Sequence, residues 1–158
     1  MIPTLAGVHH LKLPVADLAR SVEWYRTRLG YEVAVEFHEE GRLMGVGMRH
    51  PAGGPVMAFR LDPEKAAAAA GFDYFSIGVP DRDALEALAR HLDQLGDEHG
   101  EVQFASIGWI LPLLHDPDGH EVRFYTVESH TETLESEVRR VENPVESAAE
   151  EEARRGPR

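Results

Sequence analysis

Side chains capable of acid–base or polar-binding chemistry fall on segments of the chain that are predicted to be β-strands. His10 lies in the first such segment, Tyr74 opens the second half of the chain, and Glu121 and Arg123 lie in the last strand. His10 or Glu121 could act as a general base, and Arg123 or Tyr74 could steady a developing oxyanion. Glu121 and Arg123 are two residues apart on one strand face, so a mutual ion pair is the simpler alternative for these two.

The remaining chemistry of the chain is restricted by its composition. The sequence contains nine histidines and no cysteine, which excludes thiol catalysis, thiolate metal sites and disulfides. No pair of ligands at i, i+2 or i, i+4 spacing emerges from the histidines, so the residues alone predict no metal site. The lack of cysteine and of a signal-peptide pattern leads us to expect a cytoplasmic protein.

Two matching segments about 64 residues apart organise the chain. They run from Val8 to Gly30 and from Phe72 to Gly96, and each passes from alternating apolar residues through Val-x-Asp into a helical pattern. The repeat predicts two βαβββ units, residues 5–61 and 71–127, joined by an alanine-rich connector at 62–70. One such unit leaves a sheet face uncovered, so we expect a single α+β domain over residues 1–127 in which two units pack together or pair with another chain.

Charge and hydropathy limit the partners of this domain. The formal net charge is -12, which argues against nucleic acid as a partner, and no apolar run is long enough to span a membrane. Residues 128–158 form an acidic tail, for which we expect a short helix over 131–142 and otherwise disorder. We assign the tail no function.

The chain resembles the vicinal oxygen chelate superfamily, which includes glyoxalase I, extradiol dioxygenases, fosfomycin-resistance transferases and bleomycin-resistance proteins. The motifs that carry the resemblance are His10-Leu11-Lys12-Leu13-Pro14-Val15-Ala16-Asp17-Leu18, Trp24-Tyr25, Leu29-Gly30-Tyr31 and Asp116-Pro117-Asp118-Gly119-His120-Glu121-Val122-Arg123-Phe124-Tyr125. The resemblance implies curved mixed sheets around a cavity. It also implies a homodimer, because members commonly build each cavity from units of two chains.

In metal-dependent members of this superfamily, four strand positions can supply ligands to a divalent ion. The resemblance carries these positions onto His10, Ala58, Tyr74 and Arg123. Only His10 is a usual ligand, because alanine offers no donor atom, tyrosine is a poor ligand for hard divalent ions, and a guanidinium would repel a cation. We therefore expect no metal and no other cofactor.

Strand alternation then predicts which side chains face the cavity if His10, Tyr74 and Arg123 do. The set combines a broad apolar wall with a few charged groups, an arrangement suited to a flat or aromatic ligand. Its apolar members could instead be ordinary core between the sheets. The predicted ligand-binding residues are His10, Lys12, Met44, Val46, Met48, Tyr74, Ser76, Trp109, Leu111, Leu113, Glu121 and Arg123.

Three functions compete at this point. The first is a bleomycin-resistance-like protein that sequesters a hydrophobic or aromatic natural product without metal. The second is a metal-free lyase or isomerase whose catalytic candidates are His10, Tyr74 and Glu121, and the third is a metal-dependent lyase or dioxygenase. We favour the first, because the usual ligands are missing and the predicted cavity is apolar.

Overall fold

The computed structural model describes residues 3–105 and 107–127 of the chain. Its eleven elements follow the order of the two predicted units, with a short helix between them. They are β1 (His10–Val15), α1 (Leu18–Leu29), β2 (Glu32–Glu39), β3 (Arg42–Arg49), β4 (Val56–Leu61), α2 (Pro63–Ala69), β5 (Ser76–Val79), α3 (Arg82–Leu95), β6 (Gln103–Ala105), β7 (Gly108–His115) and β8 (Glu121–Thr126).

The two units form two four-stranded sheets with the same topology. The N-terminal sheet has the order β1-β4-β3-β2 and the C-terminal sheet the order β5-β8-β7-β6. In each sheet the first strand pairs in parallel with the last, and the other pairs are antiparallel. The predicted α+β fold is confirmed. The first strand of each unit is shorter than its apolar pattern suggested, because β1 begins at His10 and β5 at Ser76.

The same capping residues fix the helix of each unit. The side chains of Asp17 and Asp81 accept hydrogen bonds from the backbone N–H three residues later, which satisfies one otherwise unpaired donor of α1 and α3. Gly30 and Gly96 end the helices at φ of 73° and 76°, a left-handed conformation that glycine adopts at little cost.

Both helices pack on one face of their own sheet and share a single core. In the N-terminal unit the ring of Tyr25 in α1 lies 4.7 Å from the ring of Phe59 in β4. In the C-terminal unit Leu85 and Leu92 of α3 join the fully buried Leu111 and Phe124. The opposite face of each sheet carries no helix, and we call it the open face.

A turn of the C-terminal unit holds the N-terminal unit in place. The β7–β8 turn contains Asp118, whose side chain accepts hydrogen bonds from Ala16 N (2.9 Å), Arg20 Nη2 (3.0 Å) and Ser21 Oγ (3.2 Å). These donors belong to the end of β1 and the start of α1. Asp118 therefore ties the two units together where the first strand passes into its helix.

Asp116 and His120 extend this junction into the buried interior. Asp116 accepts a hydrogen bond from the hydroxyl of Tyr25 at 3.0 Å, and His120 Nε2 lies 2.9 Å from the carbonyl oxygen of Pro14. Burial raises the pKa of Asp116 above its ordinary value, although the charge and backbone N–H of His120 and the bond from Tyr25 lower it in part. Burial also raises the pKa of Tyr25 well above its usual range, and the carboxylate of Asp116 adds to the rise.

No helix in the described part of the chain is long and apolar enough to cross a membrane. The predicted tail helix over 131–142 lies outside the described residues.

Replacing Tyr25 with Phe tests the junction. The change leaves Oδ2 of the buried Asp116 carboxylate without its donor, while the backbone N–H groups of Asp118 and His120 still bond Oδ1. The unfolding free energy should fall by about 1–3 kcal/mol at pH 7 in urea denaturation. The loss should shrink as the pH falls through the raised pKa of Asp116, because the hydroxyl of Tyr25 stabilises the ionised form. Tyr31→Phe is the matched control, since Tyr31 is also buried and its hydroxyl makes no hydrogen bond among the described residues. Equal losses in the two variants would contradict the role of the junction.

Candidate functional site

Strand register determines which side chains of the N-terminal sheet lie on its open face. His10, Lys12 and Pro14 of β1 pair with Val56, Ala58 and Arg60 of β4, and Ala58 and Arg60 pair with two glycines of β3. His10 and Lys12 are exposed, and Arg60 forms an ion pair with Glu39. His10 and Lys12 thus share one face, as expected. Lys12 makes no ion pair with any described residue.

Val46 and Met48 lie on the opposite face of the same sheet. Val46 pairs with Phe59 and Met48 with Met57, and Val46 and Met48 are only 3% and 0% exposed within the shared core. The prediction that Val46 and Met48 face the cavity with His10 is therefore wrong. Met44 lies at a register shift between the pairs Phe37–Gly45 and His38–Leu43, so its place on the open face stays a prediction.

Two apolar side chains of β2 that the prediction missed lie on the open face, where Val46 and Met48 were expected. Val35 and Phe37 of β2 pair with Gly47 and Gly45 of β3. A Cβ atom at Gly47 would stand 2.7 Å from Val35 Cγ1, and one at Gly45 would stand 3.5 Å from Phe37 Cδ2. Val35 and Phe37 remain 41% and 50% exposed. The alternation of glycine with large residues in β3 was the available signal, because a strand glycine marks a close approach.

The open face of the C-terminal sheet matches the prediction along β8. Glu121 pairs with His115 of β7, Arg123 pairs with Ser76 of β5, and Tyr125 has the same parity. These side chains lie on the face away from α3, since Phe124 between them is buried against that helix's core. Ser76, Glu121 and Arg123 therefore share one face, as expected.

Trp109 and Leu111 of β7 lie on the helix-bearing face instead. Leu111 pairs with Phe124 and is 0% exposed, and the guanidinium of Arg82 at the start of α3 lies 4.0 Å from the centre of the Trp109 ring. The prediction that these two residues line the cavity is wrong. Its cause is an irregularity in the β7–β8 register between Leu111 and Leu114, which reverses the parity along β7.

Leu113 and Tyr74 have positions that alternation did not anticipate. Leu113 lies within the irregularity at φ 63°, is 41% exposed, and directs its backbone N–H to Glu121 Oε1 at 3.1 Å. Tyr74 precedes β5, and its hydroxyl donates to the carbonyl of Ala69 at 3.2 Å. Its neighbour Asp73 lies beside Arg123, on the face where Tyr74 was expected.

A compact charged cluster results on the C-terminal open face. Arg123 Nε lies 2.7 Å from Glu121 Oε1 and 3.1 Å from Asp73 Oδ2. Burial favours a higher pKa for Glu121, but the hydrogen bonds from Arg123 and the Leu113 N–H and the nearby charges of Arg123 and His115 hold it below its ordinary value. Glu121 is therefore an ionised hydrogen-bond acceptor at neutral pH.

The divalent metal of the resembled superfamily does not fit these residues. The position expected for a carboxylate ligand holds Arg123, whose positive charge is fixed by two acidic neighbours, and Ala58 has no donor atom. The hydroxyl of Tyr74 is engaged with Ala69. In residues 3–105 and 107–127, no group of three histidine or acidic side chains could hold a metal ion.

The predicted residues are divided between the open faces of two sheets. The described hydrogen bonds between the units involve β1, the start of α1, the β7–β8 turn and the ends of α1 and α3, such as the pair Arg28–Asp97. No described hydrogen bond or ion pair joins the open faces, so none links the catalytic candidates His10 and Glu121 within one chain.

A recess open to solvent lies at one end of the C-terminal open face. Its volume is ≈ 390 Å³, within the range of small-molecule sites. It is lined mainly by apolar atoms, and three of its residues, Ser76, Tyr125 and Thr126, carry a hydroxyl group. The lining residues are Ser76, Ile77, Gly78, Ile107, Tyr125, Thr126 and Val127.

The fold and the open-faced sheets together define a two-unit βαβββ protein, and comparison with known families agrees. A family model, the Glyoxalase/Bleomycin resistance protein/Dioxygenase superfamily, matches residues 7–124. The chain belongs to this superfamily. The catechol-2,3-dioxygenase of Bacillus subtilis (strain 168) is 26% identical over 97 residues, which is 60% of this chain. The chain spans 34% of the length of that relative.

Several solved structures share the fold at low sequence identity. A glyoxylase/bleomycin resistance protein/dioxygenase domain from Frankia sp. EAN1pec has a TM-score of 0.62 at 23% identity, covering 78% of this chain and 93% of that one. TnmS3, an antibiotic binding protein from Streptomyces sp. CB03234, has a TM-score of 0.62 at 13% identity, covering 78% and 98%. The fosfomycin resistance protein FosX of Listeria monocytogenes, complexed with Mn(II), has a TM-score of 0.63 at 13% identity, covering 83% and 99%.

The assignment of faces predicts unequal losses of stability for substitutions at two apolar residues of the N-terminal sheet. Met48→Ala should lower the unfolding free energy by about 2–5 kcal/mol, because Met48 is fully buried in the shared core. Phe37→Ala should cost less than about 1 kcal/mol, since the ring is half exposed. Chemical denaturation of both variants measures this, and a tolerated Met48→Ala would show that Met48 faces the open side after all.

Proposed function

We propose that the protein binds a hydrophobic, in particular an aromatic, small molecule on its open faces and sequesters it without a metal. The observation that carries this proposal is the composition of those faces. Each combines apolar or aromatic side chains that are at least partly accessible, the half-exposed Phe37 on one sheet and the partly buried Tyr125 on the other, with few charged groups. Ligand sites of this kind provide apolar area and use a few polar groups to orient the ligand.

The proposal includes a homodimer in which the two open faces of a cavity come from different chains. Within one chain the units meet through α1, α3 and the β7–β8 turn, which leaves both faces without a covering element among the described residues. Val35 and Phe37 are about half exposed on a sheet face, and apolar area of this kind commonly marks an interaction site. This apolar area would be buried if the N-terminal sheet of one copy lay opposite the C-terminal sheet of another.

Sequestration is favoured over the enzymatic alternatives by the placement of the candidate residues. The metal positions hold Ala58 and Arg123, and no described hydrogen bond joins His10, Tyr74 and Glu121 to one another. TnmS3, described as an antibiotic binding protein, shares this fold, and this similarity supports a binding role. A cytoplasmic location stays a prediction.

An aromatic ligand should stabilise the protein in a way that depends on the open faces. At a ligand concentration about a hundred times the dissociation constant, the unfolding free energy should rise by about 2.7 kcal/mol, which is visible as a melting shift. Phe37→Ala should remove most of the shift. Phe104→Ala is the matched control, because Phe104 is 63% exposed but pairs with Trp109 on the helix-bearing side. If no member of an aromatic library shifts the melting temperature, the proposal fails.

The shared cavity predicts complementation between variants. Light scattering at micromolar concentration should give twice the mass of one chain. Phe37→Ala and Tyr125→Ala should each weaken binding, but a mixed dimer would hold one cavity with both changes and one with neither. After random exchange of subunits, about a quarter of all cavities should bind as in the wild type. A monomer, or no recovery after mixing, would contradict the shared cavity.

A further inference from the structure

Two side chains on the C-terminal open face form an ordered donor–acceptor pair where a metal ligand was expected. The carboxylate of Glu121 is 8% exposed and the guanidinium side chain of Arg123 is 22% exposed, and Arg123 Nε lies 2.7 Å from Glu121 Oε1. A second carboxylate, that of Asp73, lies 3.1 Å from the same nitrogen. Both carboxylates contact the planar guanidinium at Nε, and these contacts restrict its orientation.

The backbone beside the pair has an unfavourable conformation at Leu113, and this conformation directs an N–H group to the carboxylate of Glu121. Leu113 has a φ of 63°, which is rare for a residue with a branched side chain, and its N–H donates to Glu121 Oε1 at 3.1 Å. Such outliers persist where the surrounding structure enforces them and concentrate at functional sites. The irregularity in β7 thus positions Glu121 in addition to the ion pair.

Each member of the pair retains hydrogen-bonding capacity. Both contacts of Glu121 use Oε1, which leaves the lone pairs of Oε2 for another donor. Both carboxylate contacts of Arg123 use Nε. A guanidinium has more N–H groups than these partners use. The pair therefore presents an acceptor beside donors.

The donors and acceptors of the cluster select against ionic ligands. Asp73 and Glu121 together carry one more unit of negative charge than Arg123 neutralises, so a ligand carboxylate is repelled overall and offers no donor to Glu121. A ligand cation is attracted by the carboxylates but offers no acceptor to the guanidinium, whose remaining N–H groups it would leave unpaired. A neutral group that both donates and accepts hydrogen bonds satisfies both members of the pair.

We propose that Glu121 and Arg123 form the polar subsite for a neutral, carboxamide-like group on the aromatic ligand. The amide N–H donates to Glu121 Oε2, and the amide oxygen accepts from the guanidinium of Arg123. This inference rests on the proposed function, because the aromatic body of the ligand must lie on the apolar part of the open faces.

Three probes of equal shape test the inference. Naphthalene-2-carboxamide, 2-naphthoate and the 2-naphthamidinium ion differ only in the charge and hydrogen-bonding groups at one end. Titration calorimetry at pH 7 and about 0.15 M salt should show the amide binding at least tenfold more tightly than either ion. If either ion matches or exceeds the amide, the inference is overturned while aromatic binding stands. If none of the three binds, the proposed function fails together with the inference.

A variant at Glu121 separates this role from a structural one. Glu121→Gln removes the charge that repels the naphthoate, so the ratio of amide to naphthoate affinity should fall at least tenfold. Glu98→Gln is the control, because Glu98 is exposed and makes no ion pair among the described residues, and its ratio should stay unchanged. An unchanged ratio in Glu121→Gln overturns the inference. If that variant does not fold, Arg123→Lys is compared with Arg90→Lys, and only the former should lose amide affinity, since lysine lacks the planar fork.

Discussion

The hydrogen bonds that Asp116 and Asp118 accept across the junction between the two units determine how this protein can work. Asp118 receives the donors at the end of β1 and the start of α1, and Asp116 receives the hydroxyl of Tyr25 in the interior. Buried carboxylates are costly unless they are paired, so this contact fixes one relative placement of the units. That placement joins the units through their helix-bearing faces.

This arrangement of the units leaves the open faces accessible. Because the helices of both units are used for the shared core, the face with His10, Lys12 and Phe37 and the face with Glu121 and Arg123 are left uncovered within the described chain. The proposed cavity, enclosed on both sides, would therefore be completed by a second copy. Within the described residues no hydrogen bond links His10 with Glu121, and for this reason we propose binding in preference to acid–base catalysis by these two groups.

Local signals in the sequence predicted the repeat, the element order and the helix caps, because these depend on neighbouring residues. Alternation also predicted correctly which side chains of β8 lie on the open face. Alternation alone does not say which of the two alternating sets of side chains in a strand faces the core, because this depends on the neighbouring strands. In β3, the pairing of Val35 and Phe37 with the glycines shows that Val46 and Met48 lie on the core side. In β7 the irregularity at Leu113 reverses the parity, so the expected facing was right for His115 and wrong for Leu111.

A guanidinium held by two carboxylates stands at the position where the resemblance places a metal ligand. The metal content of the purified protein, measured before and after incubation with Mn²⁺, Fe²⁺ and Zn²⁺ and gel filtration, shows whether this position can take up an ion. We expect far less than one ion per chain in every sample, and uptake should increase in Arg123→Glu. About one ion per chain, lost on His10→Ala, would show that a metal binds at this position despite Arg123.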